Sequence, residues 1–337
     1  MASLRLRLCR QFPKPNFRFE QFQIKRQSTT VQQVQPVQPE VKEVQIKFPW
    51  GHVAGKWWGP DNVRPIVSLH GWQDNAGTYD TLIPLLPSHM SYLAIDLPGH
   101  GLSSHLPDGV SYNTFDFLYV IKSICQNYKW DKISIMAHSM SAQLGYYFAG
   151  SFPDKIDMLI SLDVLKPHSK SADKMVNDIS KRIESMLLHD ARRKLKSDPP
   201  CYTYDELVKR LHEGTFKSVT KETAPYLLNR NIAKSTTHPD KFYFTRDNRL
   251  KGLNYAIPTH DVNLELAKRI VCPHLFIKAT NAPLYEKEHF YLEVLNILKQ
   301  KSTFKFTTVE GTHHVHLTDP TKISAEVSDF INKHRPQ

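Results

Sequence analysis

Two kinds of apolar spacing alternate along the chain. Short apolar runs such as Ile66-Val67-Ser68-Leu69, Tyr92-Leu93-Ala94-Ile95 and Ile133-Ser134-Ile135-Met136-Ala137 end in Gly, Pro or polar residues and predict buried strands. Between and after them, Tyr112–Tyr128 and Met140–Phe152 carry apolar residues at helical spacing, and a short helix is expected around Thr78–Leu86. Alternation of this kind from about Val41 to Asp163 is the pattern of a doubly wound, mostly parallel sheet. It returns after Pro273, where strand-like His274–Thr280 and Phe304–Val309 are followed by helical Glu286–Lys301 and Thr321–His334. The spacing in those last two helices is that of a surface helix laid on a sheet.

The texture differs between Asp163 and Pro273. Charges become dense, and the helical candidates Asp173–Lys196, Tyr204–Glu213 and Lys221–Lys234 are separated by loops at Pro199-Pro200 and Thr236–Pro239. The chain therefore divides into a leader and linker over 1–40, core segments over 41–163 and 263–337, and an inserted helical cap over 164–262. With 337 residues and 40% hydrophobic content, it can bury a large core.

Chemistry enters where strands end. Ser139 stands in Ala137-His138-Ser139-Met140-Ser141, between an apolar strand and a helical pattern. This is the setting of a nucleophile elbow, although a helix N-cap is the plainer alternative. Ala137 and Ser141 occupy the two flanking sites where glycine is usual, and both are small enough to leave the turn possible. The run Phe304–Val309 leads into Gly311-Thr312-His313-His314-Val315-His316, and the order of serine before histidine points to His313 as general base. His314 and His316 are then shell or surface residues. No acid or cysteine stands at metal-site spacing from them, so no metal is expected. Asp74 and Asn75 read as helix caps, and Asp96, Gly99 and Gly101 as loop-shaping residues.

These segments, in their order and spacing, resemble the α/β-hydrolase superfamily, and more closely the serine hydrolase-like proteins. The likeness spans about residues 41–335 and rests on Leu-His-Gly-Trp-Gln-Asp-Asn at 69–75, Asp-Leu-Pro-Gly-His-Gly-Leu-Ser at 96–103, Ala-His-Ser-Met-Ser at 137–141, Arg-Asp-Asn-Arg-Leu at 246–250 and Gly-Thr-His-His-Val-His at 311–316. The resemblance implies an α/β-hydrolase fold with a cap over Ser139, and an oxyanion hole made by the backbone N–H groups of Trp72 and Met140. Haloalkane dehalogenases and epoxide hydrolases carry aspartate where this chain has Ser139. The acid departs from the common pattern: Asn281-Ala282-Pro283 follows the penultimate strand, with no carboxylate there. Asp163, at the end of the sixth strand, is the expected acid, with a capping role as its alternative. Glu286 and Glu288 are the runners-up.

The implied activity is hydrolysis of an ester or thioester, or an amide, of a small to medium apolar acyl group. A catalytically weak or inactive ligand-binding protein is the alternative, kept open by the missing elbow glycines and the displaced acid. A small-molecule acyl substrate is the expected partner, and the oligomeric state is not encoded. No cofactor is expected, since no phosphate-cradling Gly-rich loop or dinucleotide fingerprint is present.

Charge changes the picture only at the N-terminus. The formal net charge is +11, and residues 1–35 hold seven Lys/Arg against the single acid Glu20. Such a basic leader resembles a mitochondrial transit peptide, ending near residues 27–40, with a cytoplasmic or peroxisomal protein bearing a disordered arm as the alternative. It has no long apolar run, so no membrane span is expected. The basic run Arg192–Lys196 reads as a solvated helix end rather than a nucleic-acid contact. Cys9, Cys125, Cys201 and Cys272 lack pairing or metal spacing, which fits a reducing compartment.

Overall fold

A computed structural model describes residues 40–194, 199–252 and 258–335. The expectations for the leader and Cys9 lie outside the described residues, and those for the basic run at 192–196 lie outside the described residues or side chains.

The core opens with strands β1 (Val41–Phe48), β2 (Gly51–Trp58), β3 (Ile66–Leu69) and β4 (Tyr92–Ile95). It continues with helix α1 (Thr114–Asn127), β5 (Ile133–His138), α2 (Met140–Ser151) and β6 (Ile156–Leu162). An insertion follows, with α3 (Ala172–Lys194), α4 (Tyr204–Gly214), α5 (Ala224–Asn231), β7 (Ile232–Lys234) and β8 (Phe242–Phe244). The core resumes with α6 (His260–Arg269), β9 (His274–Ala279), α7 (Glu288–Lys299), β10 (Phe304–Val309), α8 (Val315–Thr318) and α9 (Thr321–His334). The main sheet has the order β1-β2-β4-β3-β5-β6-β9-β10. Only β1 and β2 run antiparallel to their neighbours; from β4 to β10 every pairing is parallel.

The period-2 alternation of side chains sorts each central strand between two cores. Ile135, Leu159 and Phe276 face the layer holding Phe117, Ile121, Leu144 and Leu295 of α1, α2 and α7. Met136, Ile160 and Leu275 face Ile323, Val327 and Phe330 of α9. Burial on both faces explains why these strands are continuous apolar runs. The residues of α2 from Met140 to Gly150 are all buried, the pattern of a helix sunk into a core. It approaches the sheet through Gly145, where a Cβ would fall 2.7 Å from Leu159 Cδ1.

Two sequence expectations are corrected. The single helix expected over Lys221–Lys234 stops at Asn231, because Ile232–Lys234 pairs antiparallel with Phe242–Phe244, and Pro225 near its start moves the first turn to Ala224. The helix expected at Thr78–Leu86 is two short 3-10 turns, Ala76–Tyr79 and Ile83–Leu85, with Pro84 removing a backbone donor. The expected first helix of the insertion is present as α3, with Val176, Ile179, Ile183 and Leu187 more than half exposed. The insertion has its own small core of Leu207, Val219, Leu227 and Leu228, which Leu317 joins from α8. It is fastened to the sheet by Arg230, whose guanidinium meets buried Asp96 at 2.8 Å, while the Asn75 amide donates to Leu227 O at 2.8 Å.

Candidate active site

At the end of β5 the chain turns into α2 through Ser139, whose φ of 54° and ψ of −115° lie outside the regions a serine usually adopts. Such a turn lifts the hydroxyl off the sheet. Of the two sites where glycine is usual, Ala137 is fully buried and Ser141 donates its hydroxyl proton to His70 O, so the extra atoms are absorbed by packing and by a hydrogen bond.

Three elements converge on this hydroxyl. His313, in the loop after β10, places Nε2 at 2.8 Å from Ser139 Oγ. Its Nδ1 is hydrogen-bonded to Asp163 Oδ2, just past β6. A carboxylate only accepts, so Nδ1 carries the proton and Nε2 presents a lone pair to the serine. Asp163 is itself at a φ of 65°, and its Oδ1 accepts from Ala279 N at 2.9 Å and Lys278 Nζ at 2.7 Å. Asn281 is a bystander to this chain; its backbone N–H donates to Gly311 O at 2.9 Å. Glu286 is engaged elsewhere, 2.5 Å from Lys166 Nζ and 3.0 Å from Ser169 N. Glu288 opens α7 in its first turn.

Met140 N is the first N–H of α2, a position with no partner inside the helix. Trp72 follows Gly71, and a Cβ on Gly71 would come within 3.0 Å of His138 Nδ1 and 3.4 Å of Ser139 Cβ, so glycine lets this loop lie against the elbow without displacing His138. Leu250, within the Arg246–Leu250 motif, accepts the Trp72 indole N–H at 2.8 Å. The same motif closes a network in which Asp247 receives Tyr112 Oη at 2.9 Å and Arg249 donates to Leu106, Pro107 and Val110 carbonyls.

Ser139, His313, Trp72 and Met140 line one cavity of about 970 Å³, whose other wall is formed by Tyr202, Leu211, Thr215, Phe216 and Phe244 of the insertion. Among the described residues, α3 contributes none to the lining.

A family model described as alpha/beta hydrolase fold matches residues 64–199. The probable serine hydrolase of Drosophila melanogaster is 34% identical over 294 residues, covering 87% of this chain and 88% of that protein. The chain belongs to the serine hydrolase-like proteins of the α/β-hydrolase family. A human relative, serine hydrolase-like protein 2, is 30% identical over 86% of this chain and 94% of its own length. Among solved structures, a hypothetical protein from Pseudomonas aeruginosa PAO1 superposes with a TM-score of 0.74 at 25% identity, over 86% of this chain and 99% of that one. A thioesterase domain from the curacin biosynthetic pathway superposes with a TM-score of 0.72 at 21% identity, over 86% and 99%, and shares the fold.

Within this serine hydrolase-like chain, His314 and His316 are both buried, which removes the surface alternative for them. Asp74 is not a helix cap. Asn75 caps the first 3-10 turn by accepting from Gly77 N, whereas Asp74 turns inward. Its Oδ2 lies 4.0 Å from His138 Nδ1 and 3.9 Å from His314 Nε2. His138 Nε2–H donates to His313 O at 2.8 Å, which leaves Nδ1 unprotonated. Ser218 gives its proton to Thr215 O and so accepts from His314 Nδ1–H at 2.8 Å, which leaves that Nε2 unprotonated too. The expectation of no metal rested on the lack of a nearby acid in sequence, and the fold supplies one. Two imidazoles and a carboxylate form a zinc-type donor set, yet these separations exceed the roughly 3.3 Å edge that ~2.0–2.1 Å bonds to a tetrahedral ion require. Burial pushes the Asp74 carboxyl up to about 7 and both imidazoles well below their ordinary range.

Three contributors were not singled out from sequence: Lys278 on the acid, Arg230 joining insertion to sheet, and the Asp74–His138–His314 cluster. Each pairs residues far apart in the chain. Only Lys278 had a local signal, as the polar residue in a strand that ends without its usual acid.

Proposed function

We propose that this protein is a serine hydrolase that cleaves an ester or thioester of a small to medium apolar acyl group through an acyl-enzyme. The observation that carries the reading is the hydrogen-bonded chain Asp163–His313–Ser139, with Ser139 held at a strained strand-to-helix turn. In this reading His313 Nε2 takes the Ser139 proton as Oγ attacks the carbonyl carbon, and Asp163 stabilises the imidazolium. The oxyanion develops against the N–H groups of Trp72 and Met140, at the positive end of α2. His313 then returns the proton to the leaving group, and water repeats the sequence to release the acid. The insertion over 164–262 acts as a cap whose lining side chains select the acyl group.

A second reading, a weakly catalytic ligand-binding protein, is favoured by one feature: the Lys278 ammonium neutralises the carboxylate that would stabilise the imidazolium. Fluorophosphonate labelling separates the two. Labelling that disappears in Ser139→Ala supports the hydrolase, and an unlabelled wild-type protein refutes it. The basic leader is proposed to direct the chain to mitochondria; a reporter fused to residues 1–40 that stays diffuse in the cytosol would refute that.

A further inference from the structure

The cavity is charged on one side only. Lys170, Arg210, Arg246 and Lys251 line it, and among the described residues no Asp or Glu lines it. Lys170 is neutralised by Asp178 on α3. Neither Arg210 nor Arg246 has an ion pair or a side-chain hydrogen bond among the described residues; Glu206, one turn before Arg210, acts on it from longer range.

Both arginines instead lie over aromatic rings. The Arg210 guanidinium lies 4.0 Å from the Tyr202 ring centre and that of Arg246 lies 4.1 Å from the Phe244 ring centre. The two rings hang from one small sheet, because Tyr202 and Phe242 exchange backbone hydrogen bonds at 2.8 Å and Phe242–Phe244 is β8. A cation–π contact uses no N–H donor in an ion pair, so a guanidinium over a ring keeps donors for a planar or tetrahedral anion. Arg246 is half-buried, and desolvation pushes its guanidinium down to about 10, a cost that an anion bound in the cavity would offset.

We propose that the substrate carries a carboxylate or phosphate, bound by Arg246 and Arg210 while its acyl carbonyl sits at Ser139. The proposal rests on the acyl-hydrolase reading and narrows it to anionic acyl compounds. The negative charge has two sources: the leaving group, as in a thioester of a phosphorylated thiol, or the far end of the acyl chain, as in a dicarboxylic half-ester.

Matched substrate pairs distinguish them. Butyryl-coenzyme A against the butyryl thioester of N-acetylcysteamine varies charge on the leaving group, and mono-p-nitrophenyl succinate against p-nitrophenyl butyrate varies it on the acyl chain. One pair should show a kcat/KM preference for the anion of about ten- to a hundredfold, the range of a charge-assisted hydrogen bond. That preference should shrink at high salt and fall severalfold or more in Arg246→Met and in Arg210→Met, the second being an exposed position where folding is not at stake. Equal rates within both pairs, or a preference that survives both substitutions, overturns the proposal. Calorimetric titration with free coenzyme A and with glutarate gives a readout without turnover. Binding of either that weakens in Arg246→Met, in a protein that fluorophosphonate does not label, would retain the anion site and remove the hydrolase reading. Binding of neither by the wild-type protein overturns the anion site, whatever the labelling shows.

Discussion

The floor and the roof of the same cavity are built on different terms. On the floor, Ser139, Asp163 and His313 stand at or just past the ends of β5, β6 and β10, and β5 and β6 have almost no exposed residue. Their positions follow from the register of a parallel sheet packed on both faces. On the roof, Arg210, Thr215 and Phe216 belong to a helix and the loop after it, Phe244 ends a three-residue strand, and Phe216 is 95% exposed. Few packing constraints fix the roof. A molecule arranged this way can hold its reacting groups within hydrogen-bond distance while the pocket wall varies freely, so substitutions on the floor should change rate and those on the roof should change preference.

The sharpest way to break this division is Ser139→Ala. Turnover should fall by about 10⁴-fold or more, to the residue left by oxyanion donors and binding, with the thermal unfolding midpoint nearly unchanged. Unchanged turnover would place the chemistry elsewhere.

Asp163→Asn and Glu286→Gln test whether rate and stability are separable on the floor itself. The amide in place of Asp163 favours the wrong imidazole tautomer and should lower kcat by up to about 10⁴-fold. Glu286→Gln leaves Lys166, whose side chain is fully buried, without its anionic partner, and should cost about 3–5 kcal/mol of stability while kcat measured below the new melting temperature changes little. The reverse pattern would make Glu286 the acid.

On the roof, Leu211→Trp should shorten the acyl chain that gives the highest kcat/KM, because Leu211 lines the cavity. Ile179→Ser on α3 should leave both the chain-length profile and the stability within about 0.5 kcal/mol of the wild type, since that side chain is 58% exposed. A changed profile in the α3 variant would mean that α3 closes over the cavity in solution.

The same contrast explains what was legible in the chain. Parallel-sheet strands are local apolar runs, and the strand-to-helix turn and the histidine loop each follow such a run directly, so Ser139 and His313 can be found by where the run stops, whereas the oxyanion roles of Trp72 and Met140 come only from the resemblance. Asp163 required one more step, the lack of a carboxylate at Asn281. The roof gives no comparable signal. The helical spacing at Lys221–Lys234 continued past Asn231 because nothing in the stretch announces that Ile232–Lys234 will pair with Phe242–Phe244. Asp74 resembled a cap by its position after a glycine loop, and only the approach of His138 and His314 in three dimensions gives it another environment. Lys278 had a local signal but not a visible partner, since Asp163 stands just past the neighbouring strand β6.

Lys278→Met should have the smallest effect among the floor variants and is the most informative about the floor. Lys278 Nζ sits 2.7 Å from Asp163 Oδ1, on the oxygen that His313 does not use. A cation there draws the carboxylate's charge away from the imidazolium that forms as Ser139 attacks. Its removal leaves Ala279 N–H to orient the carboxylate and makes Asp163 a better partner for a protonated His313. On the plateau of the pH–rate profile kcat should change by less than about tenfold, in the direction of an increase. A loss as large as that of Asp163→Asn would mean that Lys278 holds the carboxylate in place rather than tuning its charge. The chain Asp163–His313–Ser139 would then depend on a residue of β9 as much as on its own three members.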